Sequence, residues 1–202
     1  MPSRNVVKPD LPDAYYHIYA RGAGKVEIFL EDVDYQFFLS LFARHLSLRQ
    51  QSSRLSAYPH LRGDIELLCY CLMPNHIHLL VYQSEQGAMP RLMRSIMTSY
   101  SRYFNHKYKR SGALFETRYK ASLIENEAYL LHISRYIHLN PRYYKRYPYS
   151  SLGYLTGQPS PEWLQPEKIQ DLFGSAEKYK EFVADYEENK AMLDVLKKEL
   201  AE

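Results

Sequence analysis

Between Cys69 and Tyr82 the chain reads Cys-Tyr-Cys-Leu-Met-Pro-Asn-His-Ile-His-Leu-Leu-Val-Tyr, and few stretches leave a backbone less choice. Ile77, Leu79 and Val81 alternate with His76, His78, Leu80 and Tyr82, the period of a strand whose successive side chains point to opposite faces. Met73-Pro74-Asn75 separates this run from an apolar run over Asp64 to Cys71, and proline presets a turn dihedral while removing a ladder donor. The two runs predict a β-hairpin in which His76 and His78 share a face. Two imidazoles on one face of a rigid strand can hold a divalent cation. A bare pair of this kind in an arbitrary protein is more often two polar residues turned to solvent, so the question passes to the rest of the chain.

Residues 1–13 are polar, carry two prolines and read as a loose lead-in. Ala14 to Arg21 alternates like a first strand and stops at Gly22 and Gly24. Asp32 or Asp34 offers an N-cap for a helix reaching about Gln50, followed by a Ser-rich loop over 51–63. After the hairpin, Pro90 suits the first turn of a second helix, which carries an apolar stripe beside Arg91, Arg94, Arg102 and Lys107. Leu114 to Ile124 contains an extended stretch. Glu125-Asn126-Glu127 starts a third helix that Asn140-Pro141 ends, because the residue before proline is pushed from the helical region. The order β-α-β-β-α-β predicts an α+β fold, a ferredoxin-like split βαβ antiparallel sheet with an added C-terminal tyrosine-bearing helix and a helical tail. The predicted organisation is a lead-in over 1–13, one domain over 14–155 and an acidic helical tail over 156–202.

The formal charge of +3 conceals an uneven distribution. Residues 89–150 hold 12 Lys/Arg against 3 Asp/Glu, whereas residues 162–202 hold 6 against 11. Ten of the 20 tyrosines also fall within 89–150. Cations interleaved with aromatic rings suit single-stranded nucleic acid, whose phosphates they neutralise and whose bases they stack. No apolar stretch is long enough to span a bilayer, and the N-terminus lacks the apolar segment of a secretory signal. A soluble, cytoplasmic protein without membrane contact is expected, and the two cysteines, Cys69 and Cys71, read as buried thiols of a reducing compartment.

The third helix supplies more polar groups. Tyr129, His132, Tyr136 and Asn140 lie at i, i+3, i+7 and i+11 and so share a helix face. Such a stripe is also what a core face of packed tyrosines looks like.

Five motifs then fall in order: Tyr16-His17-Ile18 with Arg21-Gly22; Tyr70 to Leu80; Ser99-Tyr100-Ser101-Arg102-Tyr103-Phe104-Asn105; Gly112 to Lys120; and Ser134-Arg135-Tyr136-Ile137-His138-Leu139-Asn140-Pro141. Together, over residues 14–155, they resemble the REP-associated branch of the single-tyrosine transposases, within the HUH class of nucleases. The resemblance implies that His76, His78 and Asn140 bind Mg²⁺ or Mn²⁺ and that Tyr136 attacks a phosphodiester of single-stranded DNA. The product implied is a 5′-phosphotyrosine and a free 3′-OH. It further implies hairpin-containing, REP-like DNA as the partner, with Arg21, Arg94, Arg102, Arg110, Arg118 and Lys120 facing it. His132 and His17 stand as auxiliary candidates near the site. The sequence sets no oligomeric state, and a homodimer is one it allows. The chain departs from the family where Ala20-Arg21-Gly22 replaces Asn-Arg-Gly, and where the basic segment after Asn-Pro shrinks to Arg142–Arg146. Two other readings compete: a Cys₂His₂ zinc site from Cys69, Cys71, His76 and His78, and a non-catalytic DNA- or RNA-binding protein on an RRM-like sheet.

Overall fold

The computed structural model describes residues 9–48 and 58–185. Four strands, β1 (Ala14–Arg21), β2 (Ile65–Met73), β3 (His76–Gln83) and β4 (Lys120–Ile124), form one antiparallel sheet in the order β2-β3-β1-β4. That order, with α1 (Asp32–Leu46) between β1 and β2 and α2 (Ala88–Lys107) between β3 and β4, is the split βαβ arrangement expected from the pattern. The turn at Pro74 and Asn75 closes the β2–β3 hairpin, and Pro74 O accepts hydrogen bonds from Ile28 N and Phe29 N. A further helix, α3 (Glu127–Leu139), starts at Asn126, whose side chain accepts from Tyr129 N.

The period-two alternation divides the sheet into two faces with different covers. Tyr16 and Ile18 of β1, Leu79 and Val81 of β3, and Leu67 and Tyr70 of β2 pack beneath α1 and α2. The opposite face, with Cys69, Cys71 and Leu80, packs beneath α3. A register shift between Leu67 and Cys69 lets Leu67 and Cys69 point to different faces although they are two residues apart.

Two details differ from the sequence reading, and a third fills it in. Asp34 is not the N-cap of α1; Glu31 is, and the Asp34 carboxylate accepts from the backbone N–H groups of Leu30 and Glu31. The described part of the lead-in is anchored, because the Asp10 carboxylate accepts from Gln83 Nε2 and Gly87 N. The stretch after Gly157 is packed on the body: Leu164 joins the core under α1 and α2, while α5 (Glu167–Phe173) and α6 (Ala176–Ala184) bury Ile169, Tyr179 and Val183 against α3. A four-residue helix, α4 (Leu152–Leu155), precedes them. The helix end expected at Gln50, the loop over 51–57 and the tail beyond Asp185 lie outside the described residues. Among the described residues no helix is long and apolar enough to cross a membrane.

Candidate active site

Strand register assembles the site before any side chain is considered. Cys71, His78, Tyr19 and Lys120 form one row across the four strands, and Met73, His76 and Arg21 form the next. Both rows face α3. Helix α3 brings Tyr136 over them, and Asn140 follows one turn later. Asn140 keeps helical dihedrals, φ −60° and ψ −44°, although it precedes Pro141. The proline effect expected there is a preference, and here it yields to a site that holds the Asn140 amide in place.

The result is a cavity of about 330 Å³ lined by Arg21, His76, His78, Lys120, Tyr136 and Asn140, together with Tyr19, Glu116 and Thr117. The His78 ring lies edge-on to Tyr136 at 5.3 Å between centroids and to His76 at 5.0 Å. His76 Nε2 stands 3.1 Å from Asn140 Oδ1. The Asn140 side chain beside Tyr136 favours the phenolate. Histidine pair, amide and phenol thus meet in one place.

A chain of hydrogen bonds fixes which nitrogen of His76 faces the cavity. Asn75 Nδ2 donates to Lys25 O, which turns Asn75 Oδ1 toward His76 Nδ1 at 2.6 Å. That contact is satisfied when Nδ1 carries the proton, and a neutral His76 then presents the Nε2 lone pair to the carbonyl oxygen of Asn140. Two acceptors facing each other at 3.1 Å suit a shared cation. Octahedral coordination at about 2.1 Å sets neighbouring ligand atoms roughly 3 Å apart, so these donors fit Mg²⁺ or Mn²⁺. His78 Nδ1 lies 3.0 Å from His17 Nε2. When His78 donates that bond, its Nε2 is also free as a ligand.

Electrostatics keep these groups uncharged at neutral pH. Burial, followed by the neighbouring His17, His76 and Arg21 charges, holds the His78 pKa well below the usual imidazole value. Burial lowers His76 as well, opposed by Asn140 and aided by Arg21. Burial pushes the Tyr136 phenol up to about 12, with the Asn140 side chain and Arg21 working against it. Neutral imidazoles are the form that binds metals. The Cys69 and Cys71 thiols are buried and pushed up by desolvation, and among the described residues no group of three or more His, Cys, Asp or Glu side chains is placed to hold a metal, so the Cys₂His₂ zinc site does not form.

The other expected residues divide. Arg94, Arg102 and Arg118 line a groove of about 770 Å³ that shares the lining residues Glu116 and Thr117 with the cavity, so the two are neighbours. Arg110 lines neither and lies 5.9 Å from the Phe104 ring. His17 is fully buried and adjoins the site from behind, 3.0 Å from His78 Nδ1 and with its ring edge-on to Tyr136 at 5.9 Å between centroids. His132 does not reach the cavity: one turn from Tyr136 is about 6 Å along the axis, and its Nδ1 accepts from Arg135 Nη2 at 2.8 Å beneath α6. His138 is fully buried between Tyr179 Oη and Ser151 Oγ, a packing role without solvent contact.

Sequence reasoning gave no role to Asn75, Tyr19, Glu116 or Thr117. Alternation on β1 already put Tyr19 on the face of His17 and Arg21, so the signal for it existed. Glu116 and Thr117 precede β4 in an irregular segment that no period describes.

The family model for IS200-like transposases matches residues 40–140. A solved structure of a REP-associated tyrosine transposase bound to a REP hairpin is similar at a TM-score of 0.55 with 14% identity, covering 79% of this chain and 90% of that one. That likeness shows a shared fold. No curated protein matches. Because the family match spans half of the sequence and includes the hairpin, α2 and α3, the chain belongs to the IS200-like transposase family.

Proposed function

We propose that this transposase nicks and rejoins single-stranded DNA beside a hairpin, with Tyr136 as nucleophile and with His76, His78 and Asn140 holding Mg²⁺ or Mn²⁺. The observation that carries the reading is the pair of opposed acceptors, His76 Nε2 and Asn140 Oδ1, in the same cavity as the Tyr136 phenol. When bound, the metal would polarise the scissile phosphate and stabilise charge on the departing 3′ oxygen. Arg21 and Lys120 line the same cavity and bring positive charge to the phosphate. The Asn140 amide orients the phenol, and burial beneath α3 keeps bulk water from competing with it.

The Tyr136 oxygen forms a bond to phosphorus as the bond to the 3′ oxygen breaks. The phenol proton is lost and the 3′ oxygen gains one, which leaves a 5′-phosphotyrosine and a free 3′-OH. The phosphodiester count is conserved, so the reverse step rejoins a strand without ATP. The hairpin-bound similar structure and the groove bearing Arg94, Arg102 and Arg118 support hairpin DNA as the substrate.

The test incubates the protein with labelled hairpin DNA and Mn²⁺ and separates covalent adducts under denaturing conditions. An adduct that disappears in Tyr136→Phe is expected. One that persists in that variant removes Tyr136 as nucleophile, and no adduct on any hairpin with the wild-type protein overturns the enzymatic reading.

A further inference from the structure

Four residues beyond Asn140 the chain enters a second, separate cavity. It measures about 500 Å³ and lies between residues 144–158 and α6. Leu152 and Val183 line it with apolar side chains, and among the described residues Lys145, Arg146 and Lys180 are its charged lining residues. Among the described residues no carboxylate lines it. Among the described residues Lys145, Arg146 and Lys180 make no ion pair.

Tyr144, Tyr147 and Tyr154 line this cavity, and Tyr143 precedes it in the chain. Tyr143 is 72% exposed, the most exposed large apolar side chain described, and the Arg142 guanidinium sits 5.6 Å from its ring centre. Lys145 Nζ lies 5.8 Å from the Tyr144 ring. An exposed tyrosine flanked by unpaired cations does nothing for the core, since its ring buries little area and the cations repel one another. It does suit a polyanion with flat, stackable groups. Four residues of chain cover at most about 14 Å, so the Tyr144 end of this cavity stays within a few nucleotides of Asn140.

We infer that residues 142–147 and the cavity beside α6 form a subsite for the unpaired nucleotides next to the cleaved phosphate, with a base against Tyr143 or the apolar lining and phosphates on Lys145, Arg146 and Lys180. The inference rests on the proposed DNA substrate and is independent of whether Tyr136 reacts. A volume of this size is in the range of sites for small ligands, about 300–1,000 Å³, and holds a single nucleotide. The subsite lies on the α3 side of the sheet, apart from the groove beside α2, so strand and stem would contact different basic surfaces.

Tyr136→Phe protein, which binds without reacting, is the background for the test. Two fluorescent probes are used, oligothymidylate and a blunt DNA hairpin without unpaired flanks. Replacing Lys145, Arg146 and Lys180 together by Ser is expected to weaken oligothymidylate binding at least tenfold and to lower its salt slope by about 2, at roughly 0.7 per phosphate contact. Binding of the blunt hairpin should stay within twofold. Tyr143→Ala, at a side chain 72% exposed and outside the core, should weaken oligothymidylate alone by about tenfold. Equal losses on both probes, or no loss on either, overturn the subsite. Absence of a covalent adduct with the wild-type protein would overturn the catalytic reading and leave this binding result standing.

Discussion

Asn75 shows how much one amide can decide. It is not in the cavity, yet by donating to Lys25 O and facing His76 Nδ1 it determines that His76 offers Nε2 inward. Groups that orient a ligating histidine typically matter tenfold to a hundredfold in metal affinity. Asn75→Ala is therefore expected to weaken Mn²⁺ binding by about 10–100-fold, read by paramagnetic titration of the free protein, while hairpin affinity without metal is unchanged. Unaltered Mn²⁺ binding would show that the His76 ring is held by other means. Gly22 constrains the same corner. Its N–H donates to Asn75 O, and a Cβ there would stand 2.2 Å from Val26 O. A methyl group cannot be accommodated against backbone, so Gly22→Ala should lower stability by about 1–3 kcal/mol in denaturant unfolding. A variant as stable as the parent would mean that the 22–28 loop shifts freely.

At the scale of elements, α1 and α2 are joined by one carboxylate. Asp34, fully buried, accepts from Lys107 Nζ at 2.7 Å, Tyr108 Oη at 2.7 Å and Tyr103 Oη at 2.9 Å, besides its two backbone donors. Burial by itself would raise its pKa, but the hydrogen bonds from Lys107, Tyr108, Leu30 and Tyr103 outweigh it and hold the group at about 2, against 3.8 for the free side chain. A depressed folded-state pKa adds stability that is complete above the unfolded value and disappears as pH falls through the folded one. The window runs from about pH 4 to pH 2, and the contribution is about 2 kcal/mol. Asp34→Asn should lose that amount at neutral pH and flatten the stability profile across the window, measured by denaturant unfolding at several pH values. A variant that keeps the acid-induced loss of its parent would assign the loss to another carboxylate.

The elements differ in how far the sequence revealed them. The hairpin and α3 were readable because the periods of 2 and 3.6 are local properties of the chain. The same periods put His76 with His78 and Tyr136 with Asn140. That the tail packs on the body was readable from its apolar side chains, but the partners of α6 were not, because its contacts join distant residues: Arg135 Nη1 donates to Phe182 O, and His138 meets both Tyr179 and Ser151. His132 shows the limit of the helical stripe as a guide. It shares a face with Tyr136 by angle, but displacement along the axis gives it to Arg135.

For the whole molecule, the separation of charge becomes a separation of surfaces. The basic middle of the sequence folds into α2, the segment before β4 and the turn after α3, so its cations lie on more than one surface of the molecule. Arg94, Arg102 and Arg118 are exposed around the groove that adjoins the Tyr136 cavity, and none of them forms an ion pair among the described residues. Composition could indicate such a field but not its direction, since direction depends on which helix faces project where. Unpaired arginines along a groove contact phosphate whatever the base sequence, and each contact releases about 0.9 counterion from duplex DNA. Replacing all three by Ser should weaken hairpin binding evenly across stem sequences and reduce the slope of log affinity against log salt by about 3. The rate of adduct formation at saturating DNA should be preserved, because the reacting groups belong to β3 and α3. Fluorescence anisotropy over a salt series gives the slope, and single-turnover labelling gives the rate. An unchanged slope would place the stem elsewhere on the molecule, and a rate that falls at saturation would mean that the groove positions the scissile phosphate as well as binding the stem.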